Sequence, residues 1–152
     1  MSNEERAIDD AMIGRLVHRY CDAVCSRDDE AWAATWADDA VWNIGRGPVE
    51  GRAAILEAYQ RAMGLFDSVN QVVLNGAADL DHDAGRGAGR WYMNEIGLAK
   101  SGARIFYLGH YDDTYVRVDD EWVFESRTLY WLYQGPPDLQ GTFGPPPGYD
   151  RY

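Results

Sequence analysis

The sequence predicts an α+β fold, with helices from the first half packed on one face of a curved, mainly antiparallel sheet made by the second half. Three observations carry this. Ile8, Met12, Leu16, Tyr20 and Val24 recur every four positions, with Ile13, Val17 and Cys21 beside them, which is the spacing of one helix face. From Ser68 the apolar period switches to two, the period of a pleated strand. The connections between the later segments are short and turn-rich, which suits hairpins and therefore antiparallel neighbours. With 152 residues the chain is long enough for one real core. The expected organisation is one domain over 1–134 followed by a Pro/Gly-rich tail over 135–152.

The elements follow in order. A first amphipathic helix is expected from about Glu5 to Arg27, with Asp9, Asp10, Arg15, Arg19 and Asp22 mostly on its solvent side. A second, shorter helix runs from Asp29 to Trp36, capped by Asp28 or Asp29. Ala40 to Gly45 is a short strand, and Gly45-Arg46-Gly47-Pro48 a turn. A third helix covers about Arg52 to Phe66, with Ile55, Leu56, Tyr59, Met63 and Leu65 apolar. Strands then follow at 68–81 and 89–100, joined by the loop HDAGRGAG. Its Gly-rich part lacks the strand-then-helix context of a phosphate loop and reads as a hairpin connection. The stretch 103–133 forms two long strands joined by the tight turn Asp119-Asp120-Glu121, rich in the Tyr, Phe, Trp, Val and Thr that favour strands. The tail holds five of the six prolines, so it is neither helix nor central strand and wraps the surface or a neighbouring subunit.

Composition excludes several function classes. The net charge is −11 and Lys100 is the only lysine, which argues against nucleic acid or an anionic membrane as partner. No apolar run approaches the ~18 residues of a spanning helix, and the acidic start MSNEERAIDDAM has no apolar signal region, so a cytoplasmic protein is the default. No His pair has metal-ligand spacing, and no metal or organic cofactor is expected. Cys21 and Cys25 sit four apart on a helix, which is neither a disulfide framework nor a metal knuckle. The six Trp and ten Tyr exceed what a core this size needs, and such residues suit pocket walls and interfaces. That surplus and the Pro-rich tail point to a homodimer or homotrimer.

Alternation places Tyr107, Gly109, Tyr111, Asp113 and Tyr115 on one face of the penultimate long strand, and His110 and Asp112 on the other. In the last strand it groups Val123, Glu125, Arg127, Leu129 and Trp131. A sheet face carrying phenols, an Asp and an Arg lines a cavity more readily than a dry core. Arg127 needs a partner: either an ion pair with Glu125, Asp113 or Glu95, or an anionic or phenolate ligand. Asp113 is a general base or simply holds Arg127. His110 is a second-rank general base, facing away from Tyr111 unless a β-bulge reverses it. Trp42, Tyr92, Asn94, Tyr107 and Tyr111 together form an aromatic-lined box with phenol and amide handles, suited to an aryl or polycyclic substrate. Cys25 reads as an inert buried thiol, with no base near it in sequence.

The stretches RYCDAVCSRDDEAWAATWADDAVW, VEGRAAILEAY and GHYDDTYVRVDDEWVFESR resemble the SnoaL-like branch of the nuclear transport factor 2-like superfamily, over most of residues 8–133. The resemblance implies an α+β cone, in which three helices close a bent sheet around one deep pocket. It also implies side-chain acid–base chemistry without organic cofactor, as in dehydratases, dehydrochlorinases, ketosteroid isomerases and polyketide cyclases. In the dehydratase pattern an Asp follows a helix-1 Tyr by five residues, and a His precedes an Asn by four. With Tyr20 and Asn75 as anchors, those positions hold Cys25 and Gln71, so the Asp–His dyad is missing. The remaining matches are Tyr20, as an acid or oxyanion donor; Arg127, as a pocket Arg; and Asp113 or Asp112, near the isomerases' second acidic residue. Gln71, Asn75 and Cys25 become pocket-lining positions.

The expected function is a cofactor-independent lyase, by dehydration or retro-aldol elimination, acting on an aromatic or polycyclic small molecule. The alternatives are an isomerase or polyketide cyclase of the same fold, and a non-catalytic binding or subunit protein.

Overall fold

The computed structural model describes residues 2–144. Helix α1 (Asn3–Ser26) starts with a capping box between Ser2 and Glu5 and ends at Arg27 in the left-handed conformation. Helix α2 (Asp29–Ala33) is capped by the Asp28 carboxylate, which accepts from the Ala31 N–H at 2.9 Å. It stops short of the expected Trp36 because Trp36 already belongs to strand β1 (Trp36–Asn43). Strand β2 (Pro48–Glu50) takes the place of the end of an expected turn, and helix α3 (Arg52–Met63) follows. The long strands are β3 (Phe66–Asp81), β4 (Arg86–Ala99), β5 (Arg104–Val118) and β6 (Glu121–Gly135). Between β5 and β6, Asp119 and Asp120 both adopt positive φ, 49° and 65°, the geometry of a two-residue hairpin turn.

The sheet runs β2-β1-β6-β5-β4-β3 and is curved but not closed into a barrel. All neighbours are antiparallel except β1 and β6, which pair parallel through Trp36↔Phe124 and Trp42↔Arg127. That parallel seam carries the helical half onto the sheet. The three helices cover its concave face, and the core forms between them: Ile13, Leu16, Val17, Tyr20 and Val24 of α1 meet Trp32, Trp36, Trp42, Ile55, Tyr59, Tyr111, Tyr115 and Phe124. Trp32 stacks on Tyr59 with ring centroids 4.0 Å apart. The fold is α+β, as expected.

Bulges re-aim the β6 side chains. Between Thr114 and Tyr115 the register with β6 shifts by one, and Glu125 is the extra residue. Arg127 and Leu129 therefore point inward as strict alternation requires, but Trp122 and Phe124 point inward too, while Glu125 reaches out to Arg86. The expected grouping of Val123 and Glu125 with Arg127 is thus corrected. The tail folds back on β6: strand β7 (Thr142–Phe143) pairs with Tyr133 and Gln134, and the Tyr133 hydroxyl donates to the Pro136 carbonyl at 2.6 Å. The expected wrapping of 145–152 lies outside the described residues.

Candidate active site

The centre of the concave face is an ion pair between strands. β5 and β6 place Asp113 opposite Arg127, and Arg127 Nε and Nη2 donate to the two Asp113 oxygens at 2.8 and 3.1 Å. Both residues are only 2% exposed, which makes this a buried pair rather than a surface one. Asp113 also accepts from the Tyr115 hydroxyl at 3.1 Å, and Tyr115 in turn accepts from Trp91 Nε1 at 2.9 Å. Three rings surround the guanidinium, with centroids 4.3 Å (Tyr20), 4.0 Å (Tyr111) and 4.1 Å (Phe124) from its carbon. Trp42 Nε1 donates to the Tyr111 hydroxyl at 3.4 Å. α1 supplies Tyr20 from the opposite side. Arg127, Asp113, Tyr20, Tyr111 and Trp42 thus form one cluster.

The electrostatics follow from burial. Desolvation raises the Tyr20 and Tyr111 phenols above their ordinary range, and Arg127 offsets this only in part, so both are neutral donors. Burial pushes the Asp113 carboxyl up, against the pull of Arg127 and the Tyr115 hydroxyl. Burial alone would weaken the Arg127 charge, but Asp113 and the two phenols strengthen it, so the guanidinium remains a fixed cation. One of its nitrogens, Nη1, is buried with no hydrogen-bond partner among the described residues. A buried charged donor left open is costly, and native structures rarely leave one without a purpose.

A second group lies further along the same face. Trp91, Met93 and Glu95 of β4 oppose Tyr111, Gly109 and Tyr107 of β5. The Glu95 carboxylate accepts from Gln71 Nε2 at 2.7 Å, and Gln71 Oε1 is buried with no partner among the described residues. Burial raises the Glu95 carboxyl above the ordinary Glu range, and the Gln71 amide pulls it back in part. The Tyr107 phenol is raised as well, by burial and then by the Glu95 charge. Tyr107 packs on Trp131 with centroids 4.7 Å apart. Glu95, Tyr107, Trp131 and Trp91 are half-buried, whereas the residues around Arg127 are fully buried. The interior is therefore tight at Arg127 and looser toward Glu95.

Several expected positions lie elsewhere. Tyr92 and Asn94 face outward, because β4 presents Trp91, Met93 and Glu95 to the inside. His110 also points outward: it packs between Tyr92 and Tyr130, at 5.4 and 5.2 Å, with Nε2 3.6 Å from Asp112. Burial, and then the charge of Arg90, lowers its pKa, so it is a neutral packing residue of the outer layer. No bulge reverses it, since Tyr92↔His110 and His110↔Tyr130 pair in register. Asp112 forms a two-toothed ion pair with Arg90 on that outer face. Asn75 is exposed in the bulge between Val73 and Gly76. Gln71 is inside and Cys25 is exposed at the end of α1, not buried as expected; its sulfur accepts from the Gln71 N–H at 3.2 Å and ties α1 to β3. Among the described residues, grooves of about 580 and 430 Å³ lie on the outer sheet face and along the solvent side of α1, and neither includes Arg127, Tyr20 or Glu95.

Sequence reasoning named Glu95 only as a possible ion-pair partner of Arg127 and did not assign Trp91 to the inside. The signal was the Trp91, Met93, Glu95 alternation; the neighbouring Tyr92 and Asn94 suggested the opposite phase. Among the described residues no group of His, Cys, Asp or Glu has the geometry to hold a metal ion. Among the described residues no helix is long and apolar enough to cross a membrane.

Known structures share this fold. LinA is 26% identical over 97% of this chain and all of its own, with a TM-score of 0.83. The hexachlorocyclohexane dehydrochlorinase LinA-type3 from Novosphingobium barchaimii LL02 is 23% identical, covering 96% of this chain and all of its own, with a TM-score of 0.81. A provisionally assigned scytalone dehydratase from Novosphingobium aromaticivorans DSM 12444 is 20% identical, covering 97% and 98%, with a TM-score of 0.83. No curated protein matches the chain in sequence. The model of the SnoaL-like domain matches residues 5–128, the span from the first helix through the Asp113–Arg127 pair, and the chain belongs to that family.

Proposed function

We propose that the protein is a cofactor-independent lyase that eliminates a small fragment from an aromatic or polycyclic molecule. The carrying observation is Arg127, a buried fixed cation with Nη1 unpartnered. An elimination that leaves charge on a phenolate or enolate oxygen supplies the missing acceptor. A preorganised cation in a desolvated site stabilises such charge far better than water does, because nothing must reorganise as it develops. Tyr20 and Tyr111, neutral at the guanidinium, add hydroxyl donors and flat ring faces. Asp113 holds the guanidinium in place and is the positioning residue of the pair.

The test uses 3-hydroxy-1-tetralone, whose dehydration through the C1 enolate gives fluorescent 1-naphthol. The wild-type protein is expected to accelerate naphthol release. Arg127→Met is expected to lose at least about 100-fold, the scale of one removed oxyanion donor. Unchanged turnover in that variant would sink the proposal.

A second reading is a binding module without turnover. One observation favours it: the two dyad positions hold a thiol tied to main chain and an amide, neither a proton carrier as placed. Under it, 1-naphthol quenches tryptophan fluorescence saturably, Arg127→Met weakens that binding, and the wild type releases no product. For assembly we keep a homodimer or homotrimer, with the outer sheet face that exposes Val72, Ile96 and Leu98 as the surface between copies. A monomer in analytical ultracentrifugation would remove that assignment.

A further inference from the structure

We propose that Glu95 is the proton acceptor of this site, held by Gln71, so that the acid–base function missing from α1 resides on the fourth strand. This rests on the lyase reading above and adds the group that takes the proton. The geometry carries it. Glu95 points into the concave face between Gln71 of β3 and Tyr107 of β5. Among the described residues it forms no ion pair, and its one side-chain hydrogen bond is to the Gln71 amide through Oε2. A carboxyl desolvated on the inner sheet face with no cation beside it is a candidate for a chemical task. Oε2 is fixed by the amide, which leaves Oε1 for a substrate proton.

Gln71 suits both states of the carboxyl. Its Nε2 donates to the carboxylate, and its Oε1, now buried without a partner, can accept from the protonated acid after an amide flip. The titratable groups nearby are Tyr107 and Tyr111 on β5 and Cys21 on α1, each shifted upward in part by the Glu95 charge, and Cys25 at the end of α1. Arg46, in the turn between β1 and β2, acts on Tyr107. None of these is a cation bonded to Glu95. Burial is accordingly the main influence on the carboxyl and raises it toward the working range of a base. In the elimination, a substrate C–H proton passes to Glu95 Oε1. The C–H electron pair becomes the new π bond, and the leaving group departs with its own bonding pair.

The test uses 5-nitrobenzisoxazole, which reports any desolvated carboxylate base. Loss of its C3 proton forms the nitrile and breaks the N–O bond, giving yellow 2-cyano-4-nitrophenolate. Glu95→Gln is expected to lower the rate by about 100-fold or more, the usual share of general-base catalysis, with Glu95→Asp retaining part of it. In wild type the rate should rise with pH in one step, at the same midpoint as the Glu95 carboxyl carbon followed by carbon-13 NMR. Gln71→Met should move that midpoint upward, which a merely structural amide would not do. An unaffected Glu95→Gln rate, an absent wild-type rate, or a carboxyl titrating in the ordinary Glu range overturns the proposal. Arg127→Met separates the two readings. If it leaves the rate unchanged while Glu95→Gln abolishes it, Glu95 stands and the Arg127 reading falls. The reverse pattern removes Glu95 and keeps Arg127.

Discussion

Asp113→Asn tests the buried pair directly. The substitution keeps the side-chain shape and removes the charge that Arg127 meets through two bonds of 2.8 and 3.1 Å. Arg127 cannot turn to solvent, since it is 2% exposed and enclosed by Tyr20, Tyr111 and Phe124. Its Nη1 already lacks a partner, so no second acceptor is at hand. An uncompensated buried charge costs about 3–5 kcal/mol. For a chain of this size each kcal/mol moves Tm by roughly 2–4 °C, so a fall of roughly 6–20 °C is expected. Urea unfolding followed by circular dichroism gives the free energy. The double variant Asp113→Leu/Arg127→Met removes both charges and is expected to recover most of the loss, because a pair replaced by apolar side chains is often nearly neutral. A cost for Asp113→Asn below about 1 kcal/mol, the value of an exposed pair, would refute the reasoning.

Three further outcomes are expected. Glu95 has a raised carboxyl in the fold, so its contribution is present below the ordinary 4.5 and is lost as pH rises through the folded value. The Tm of Glu95→Gln should match wild type near about pH 4 and exceed it increasingly at higher pH; a constant difference would contradict this. Burial would raise Asp9, but hydrogen bonds from Trp122 and His82 and the Arg117 charge outweigh it, so its stabilisation is present above 3.8 and lost as pH falls through the lower folded value. Asp9→Asn should cost about 1–3 kcal/mol in urea titrations at neutral pH and little in strong acid. Iodoacetamide on the native protein should label Cys25 alone by mass spectrometry, because Cys21 is 7% exposed and burial pushes its thiol up to about 12. Equal labelling would show that α1 does not sit on the sheet as described.

The helices and long strands were legible because each needs only its own periodicity. Ile13, Leu16, Val17, Tyr20 and Val24 are buried where the helical spacing puts them, whereas Ile8 is exposed and Asp9, expected on the solvent side, is buried where Trp122 donates to it; Tyr111 and Asp113 lie on one face as alternation requires. Two kinds of information were not local. The phase of β4 depends on which neighbour it pairs with, and a strand reading Trp-Tyr-Met-Asn-Glu offers a plausible face either way; hence the sequence alone predicts Tyr92 and Asn94 inside, where the structure has Glu95. The β6 bulge at Glu125 arises from pairing with β5 and β1, and nothing in EWVFESRTLYW marks it. β1 was half missed for a related reason: Asp38 and Asp39 break its apolar run, yet both are exposed within the strand, and Asp38 pairs with Arg52 at 2.7 Å.

The parallel seam between β1 and β6 also has a kinetic consequence. Trp36 lies beside Phe124, and Trp122 donates to Asp9, a contact 113 residues apart in sequence. α1 can pack on β3 as soon as that strand is made, but β1 has no β6 to pair with until the chain has been made past residue 128. Closing so long a loop costs entropy before any seam contact offsets it, which slows folding. During synthesis the side of β1 at Trp36 that Phe124 covers stays open for that interval, and the nascent chain should depend on a holding chaperone more than its final stability suggests.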